Sequence, residues 1–206
     1  MAQLSFPTQP NLIGSNIAIL VTDGFEQIEM TYPQQAFEQS GASTRIISNR
    51  HGKVQGFHHA TRADRFDVDL DFDEADAEDF DAVLLPGGIM SADRLRDIPA
   101  ARRFVQDMQR EGKPIAVICH GSWLLVSAGL ARDRTLTSWP SLRQDIANAG
   151  GCWVNQEVIQ DGNLVSSRMA ADLPAFTRKA MEVMAQRVRI GVRGTADERM
   201  AVGATG

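Results

Sequence analysis

Cysteine is scarce in this chain. Cys119 and Cys152 are the two present among 206 residues, and their spacing forms neither a CxxC nor a zinc-binding pattern. That excludes a disulfide framework and a structural zinc knot, and both are expected as reduced thiols. There is no dense Lys/Arg tract, and the formal net charge is −5, so composition gives no support for a nucleic-acid surface or an anionic-membrane surface. No apolar stretch approaches membrane-spanning length, and residues 1–15 lack the charged start and apolar middle of a secretion signal. A cytoplasmic location is therefore expected. GxGxxG and GxxxxGK[ST] are both absent, which leaves dinucleotide and P-loop readings unsupported. No internal repeat is visible, and neither a metal nor an organic cofactor is expected.

What is present has the proportions of one globular domain spanning 1–206, with 43% hydrophobic and 23% charged residues. Strand signals fall at 16–22, 43–48, 81–85 and 114–118, alternating with helical patterns and ending on Gly- or Pro-containing turns. That alternation predicts an α/β fold with a mostly parallel sheet covered on both faces. Pro33 is predicted to divide the helical segment that ends at Gly41, because an interior proline lacks a donor and crowds the preceding turn. A polar, hairpin-like excursion follows the second strand through Arg65. Further on, helices are expected near 100–111, 142–149 and 173–187, with strands near 135–138, 152–159 and 163–166. Asp161-Gly162 marks a hairpin between the last two strands. The core is expected over about 14–188, with both termini flexible, including a tail from Gly191.

Ile118-Cys119-His120-Gly121 is the most informative segment. It places a thiol where the apolar run 114–118 ends and the helix-patterned segment 121–128 begins. Such a turn exposes a side chain at the carboxyl end of the sheet, and the helix start favours a thiolate. The alternative is a cysteine packed as a small hydrophobe. Local context leaves both open, and adjacency alone does not pair His120 with the thiol. Cys152, after Gly150-Gly151, is expected at a buried strand edge.

Glu26 follows the first strand, whose end converges with the Cys119 strand on one rim of a parallel sheet. The residue pattern by itself favours a solvated helix-start carboxylate for Glu26, with Glu29 as its competitor on the same helical face. Pro86-Gly87-Gly88 ends a strand and is either an ordinary turn or a set of N–H groups open to an oxyanion. Asp67, Asp69 and Asp71 alternate as a calcium loop would begin, but Phe72 stands where that loop needs glycine. An extended edge segment with its polar face in water explains them better. His58 and His59, being adjacent, project oppositely and suit a surface hairpin rather than a metal. The three tryptophans, Trp123, Trp139 and Trp153, are expected in the core, with Trp123 near enough to Cys119 to wall a pocket.

Taken together, Gly24-Phe25-Glu26 with Glu29 and Tyr32-Pro33, Leu85-Pro86-Gly87-Gly88, Gly112-Lys113-Pro114 and Ile118-Cys119-His120-Gly121 resemble the PfpI branch of the DJ-1/PfpI superfamily. The likeness continues through Thr137-Ser138-Trp139-Pro140, Asn148-Ala149-Gly150, Asp161-Gly162-Asn163 and Ser166-Ser167-Arg168, covering about 14–188. The resemblance implies a flavodoxin-like three-layer sandwich, similar to class I glutamine amidotransferases, with Cys119 on a strained nucleophile elbow. It implies that Glu26 reaches the sulfur region and that the N–H groups of Gly88 and His120 form an oxyanion hole. It also implies that an acid from a neighbouring subunit, best matched by Asp93, completes a Cys-His-acid set in a homo-oligomer, a dimer or hexamer. Ser122 and Trp123 depart from the family's usual proline and glutamine, which alters the pocket. The implied function is a cysteine-dependent stress-response hydrolase of glyoxalase or deglycase type. A PfpI-type peptidase, or a redox sensor or chaperone, stands as the alternative. The implied substrate is a small reactive carbonyl or a peptide.

Overall fold

The computed structural model describes residues 10–202, with side chains described from 10 to 187. The elements run in the order β1 (Asn16–Leu20), β2 (Phe25–Glu26), α1 (Gln27–Gln39), β3 (Ser43–Ser48), β4 (Lys53–His58), β5 (Thr61–Asp67), β6 (Leu70–Asp71), β7 (Ala82–Leu85), α2 (Ile89–Asp97) and α3 (Pro99–Arg110). There follow β8 (Ile115–Ile118), α4 (Ser122–Ser127), β9 (Thr135–Leu136), α5 (Arg143–Asn148), β10 (Cys152–Trp153), β11 (Val158–Asp161), β12 (Leu164–Ser167) and α6 (Leu173–Val202).

The main sheet has the order β11-β12-β8-β7-β1-β3-β6, and every pair in it is parallel except β11 with β12. This is the expected α/β sandwich with a mostly parallel sheet. Its strands alternate between two cores. Ile17, Ile19, Leu84, Ala116 and Ile118 face α1 and α6 through Met30, Phe37, Phe176 and Met181. Ala18, Leu20, Val83, Leu85 and Val117 face the opposite layer, with Phe104, Val105 and Met108 of α3 and Leu124 of α4. α3 opens on Pro99 and buries Ala101, Phe104, Val105 and Met108, the spacing of one helical face.

Several expectations are corrected. α1 runs unbroken through Pro33, because Met30, Pro33, Ala36 and Phe37 form its buried face and their packing outweighs the missing donor. α2 directly follows Gly88, where no helix was predicted. Cys152 is exposed, since β10 pairs with β9 alone in a two-stranded sheet. Trp139 is exposed and Trp123 and Trp153 are half-buried, so none of the tryptophans belongs to the deep core. α6 carries helical backbone through Gly191. Residues 1–9, where a flexible start was predicted, lie outside the described residues.

The strand order places a switch point between β1 and β7. From β1 the chain passes to β3 on one side, and later returns to β7 and β8 on the other. Ligand crevices form at such points, beyond the carboxyl ends of the strands. Here those ends deliver Asp23-Gly24, Pro86-Gly87-Gly88 and Cys119.

Candidate active site

Cys119 opens a tight turn, Cys119–Gly121, between β8 and α4, and its φ of 60° is a left-handed conformation rare for a side-chain-bearing residue. The residue is buried, yet polar groups surround its sulfur. His120 Nδ1 lies 3.2 Å from Sγ. The backbone N–H groups of Gly88 and His120 donate to the sulfur, and Glu29 shares a hydrogen bond with it.

The Gly88 donor is aimed by its own peptide group. The Gly87 carbonyl accepts from the Glu26 N–H at 3.0 Å, and in a trans peptide the following N–H points the opposite way, toward Cys119. Gly88 itself has φ 97°, and a Cβ there would lie 2.5 Å from both Glu26 N and Gly24 O. At Gly87 a Cβ would fall 2.4 Å from Glu29 Oε2 and 3.0 Å from Sγ. Gly88→Ala is therefore expected to lower stability by about 2–5 kcal/mol, from backbone strain and backbone overlap together. Urea denaturation measures it, and a change below about 0.5 kcal/mol contradicts this packing.

Glu29, rather than Glu26, is the acid at the sulfur. Glu26 sits at the edge of α1, where its carboxylate accepts from His59 N–H at 2.9 Å, with His58 and His59 Nδ1 at 4.0 and 3.7 Å. Its part in the site is its backbone N–H. Glu29 lies one turn further along, on the buried stripe with Met30 and Pro33, and its Oε2 accepts from Gly87 N–H at 2.9 Å. A carboxylate on an apolar helical stripe is the signal that identifies it in sequence. Burial pushes Glu29 up to about 8, so at neutral pH it is mainly a neutral acid able to donate to sulfur. Burial pushes the Cys119 thiol up, as do a charged Glu29 and the hydrogen bond shared with that carboxylate, while the two N–H donors pull it down. With Glu29 protonated, that repulsion is gone.

Burial pushes His120 down to about 4, so its imidazole is neutral near pH 7. The ring is stacked on Trp139 at 5.6 Å and tilted against Trp123 at 5.4 Å. Trp123 is fixed by Nε1 donating to Asp145 at 2.8 Å and by Arg96 4.8 Å over its face. Trp139 was missed as a site residue, although Trp139 N–H also reaches the Cys119 carbonyl at 3.3 Å. Asp93 lies on α2 with its carboxylate exposed and paired with Arg96 at 3.0 Å. Within this chain it does not join the Cys119 cluster. Ser122 Oγ is buried with no hydrogen-bond partner.

The DJ-1/PfpI family model matches residues 15–183. The chain belongs to the DJ-1/PfpI family. Among its relatives, deglycase PfpI of Pyrococcus furiosus is 39% identical over 168 residues, covering 82% of this chain and 98% of that protein. A putative cysteine protease of Bacillus subtilis, YraA, is 37% identical over 173 residues, covering 84% and 99%. A ThiJ/PfpI domain protein of Brachyspira murdochii shares the fold with a TM-score of 0.77 at 23% identity, covering 83% of this chain and 96% of that one. The names of these DJ-1/PfpI relatives point to enzymatic activity. Among the described residues, no helix is long and apolar enough to cross a membrane.

Proposed function

We propose that this protein is a cytoplasmic, cysteine-dependent hydrolase of deglycase or glyoxalase type, acting on reactive carbonyls or the adducts they leave on amines. The reading rests on one observation, the convergence of Glu29, two N–H donors and His120 Nδ1 on the Cys119 sulfur at a left-handed turn. It is supported by the deglycase name of a relative aligned along nearly its whole length. In this mechanism the Cys119 thiol passes its proton to neutral His120 Nδ1, 3.2 Å away, and the thiolate adds to a carbonyl carbon, forming a C–S bond and moving the π electrons onto oxygen. The N–H groups of Gly88 and His120 lie beside that carbon and hold the oxyanion. Protonated Glu29 supplies a proton, and His120 moves protons between carbon and oxygen. From methylglyoxal the adduct rearranges by proton transfer to a lactoyl thioester, and water breaks the C–S bond to release lactate and the free thiol. From an amine adduct the amine leaves and water releases the acid. A peptidase, suggested by the name of YraA, begins with the same attack.

Methylglyoxal consumption with lactate release, run beside hydrolysis of a fluorogenic peptide, tests the assignment. Turnover of the peptide without lactate release would reject it in favour of the peptidase.

The proposal includes a homo-oligomer, a dimer or hexamer, in which Asp93 of a neighbouring copy meets His120. In support, His120 Nε2 has no hydrogen-bond partner among the described residues, and Ile89 and Met90 next to Asp93 on α2 are 60% and 43% exposed. Asp93→Asn is expected to lower kcat by about tenfold or more without changing the mass seen by light scattering. Mixed oligomers of Asp93→Asn with Cys119→Ser should regain activity. A fully active Asp93→Asn protein, or a fully active monomer, rules this arrangement out.

A further inference from the structure

A cavity of about 450 Å³ opens between the β4–β5 hairpin and α2, and its lining includes Arg50, Arg62, Arg65 and Arg94 together with Gln55 and Phe57. Four arginines line one space in a chain whose net charge is −5. The lining carboxylate, Asp23, is already engaged. Its Oδ2 accepts from Arg50, and its Oδ1 accepts from Gln55 N–H at 2.9 Å. Arg94 donates to the Asp23 carbonyl at 3.3 Å. Arg62 and Arg65 have no carboxylate partner among the described residues, whereas Arg96, Arg110, Arg134 and Arg168 each have one.

The backbone is shaped to bring that pair together. On a regular strand, residues three apart point to opposite faces. Here Gln55 stands opposite Arg65 and Phe57 opposite Arg62, so three steps of β5 face two of β4. This is a β-bulge, and the extra residue turns both arginines to the face of Gln55 and Phe57. Gln55 Nε2 secures the bulge by donating to the carbonyls of Ala63 and Asp64 at 2.8 and 3.1 Å. Asp64, the acid lying between the two arginines in sequence, is held by Gln27 instead, through bonds of 2.7 and 2.8 Å. The acid nearest the two arginines in sequence is thereby engaged outside the cavity lining.

From the bulge that sets Arg62 and Arg65 beside Arg50 and Arg94 in one cavity, we infer a binding site for a phosphorylated small molecule, of the size of pyrophosphate or a nucleoside diphosphate. Guanidinium forks match phosphate oxygens two at a time, and the volume is that of a small-ligand pocket. Phe57 offers an apolar surface to the rest of the ligand. The site is separate from the Cys119 crevice. Gly24 borders the cavity against Met90, and its carbonyl abuts Gly88 on the other side. The inference therefore stands apart from the catalytic reading.

Calorimetric titration of the full-length protein with pyrophosphate and with ADP tests it, at low and high salt. Saturable binding that weakens with salt is expected, and at least roughly tenfold weaker binding in Arg62→Ala/Arg65→Ala. Arg94→Ala, on a different element, should weaken it too and guards against a misfolded hairpin. Cys119→Ser and the surface control Arg110→Ala should bind as wild type. Absence of binding at millimolar ligand, or equal binding by the double variant and wild type, overturns the site. A short single-stranded oligonucleotide bound more than roughly tenfold tighter than ADP would overturn its assignment to a small molecule.

Discussion

Cys119→Ser is expected to reduce methylglyoxal turnover by about 10³-fold or more, equivalent to about 4 kcal/mol of transition-state stabilisation, while leaving the fold intact. The substituted oxygen occupies the same turn and receives the same N–H donors, but a hydroxyl yields its proton far less readily than a thiol. Since sulfur and oxygen differ little in volume at this buried site, thermal stability should change by no more than about 1 kcal/mol. The two readouts together matter. Lost activity in a stable protein assigns the chemistry to the sulfur, whereas turnover within a few-fold of wild type removes Cys119 from the mechanism.

Glu29 has the second large expected effect, on both stability and reactivity. Its folded pKa of about 8 lies above the ordinary 4.5, so the native state holds a proton that the unfolded state releases. The stability this contributes is complete below about pH 4.5 and is lost as pH rises through 8, by about 1.4 kcal/mol per pH unit at most. Glu29→Gln removes that slope. His120 acts in the opposite sense. Its pKa is depressed from 6.5 to about 4, so its contribution is present above pH 6.5 and lost as pH falls through 4. The two slopes oppose each other between pH 4.5 and 6.5, and Glu29 acts without that opposition above it. Urea midpoints from pH 5 to 9 should show the wild type losing ground to Glu29→Gln from pH 5 up to about 8 and levelling off above that, since His120 contributes equally to both proteins. Parallel curves would mean that Glu29 is ionised in the native state throughout. For reactivity, Glu29→Ala should slow iodoacetamide alkylation at pH 7 by about tenfold, because the thiolate loses a donor. Faster alkylation would show that Glu29 restrains the sulfur instead.

Much of the fold is legible in the sequence because short apolar runs that end on glycine or proline leave little choice of structure. The strand signals at 43–48 and the Asp161-Gly162 hairpin correspond to β3 and to the β11–β12 turn. Local rules fail where packing decides. Pro33 continues a helix because its neighbours bury a common face, and Cys152 is exposed because its strand has a single partner. At the site, the turn carrying Cys119 and the glycines after β7 are readable from residue type alone. The choice between Glu26 and Glu29 is legible only once the start of α1 fixes which carboxylate joins its apolar stripe. A shift of three residues exchanges a rim position for a buried one. The stacking of Trp139 on His120 joins segments 19 residues apart, a proximity that no periodicity encodes.

The pinned Gly87–Gly88 peptide also bears on how this scaffold can diversify. Its carbonyl is tied to Glu26 and its amide is aimed at Cys119, so the surroundings of the sulfur are held almost as a rigid unit. Ile28, Ile89 and Met90 lie outside that unit and are exposed in this chain. New substrates can thus be explored by exchanging rim side chains while the chemical step stays fixed, a modularity through which one ancestral pocket can give rise to several specialised enzymes.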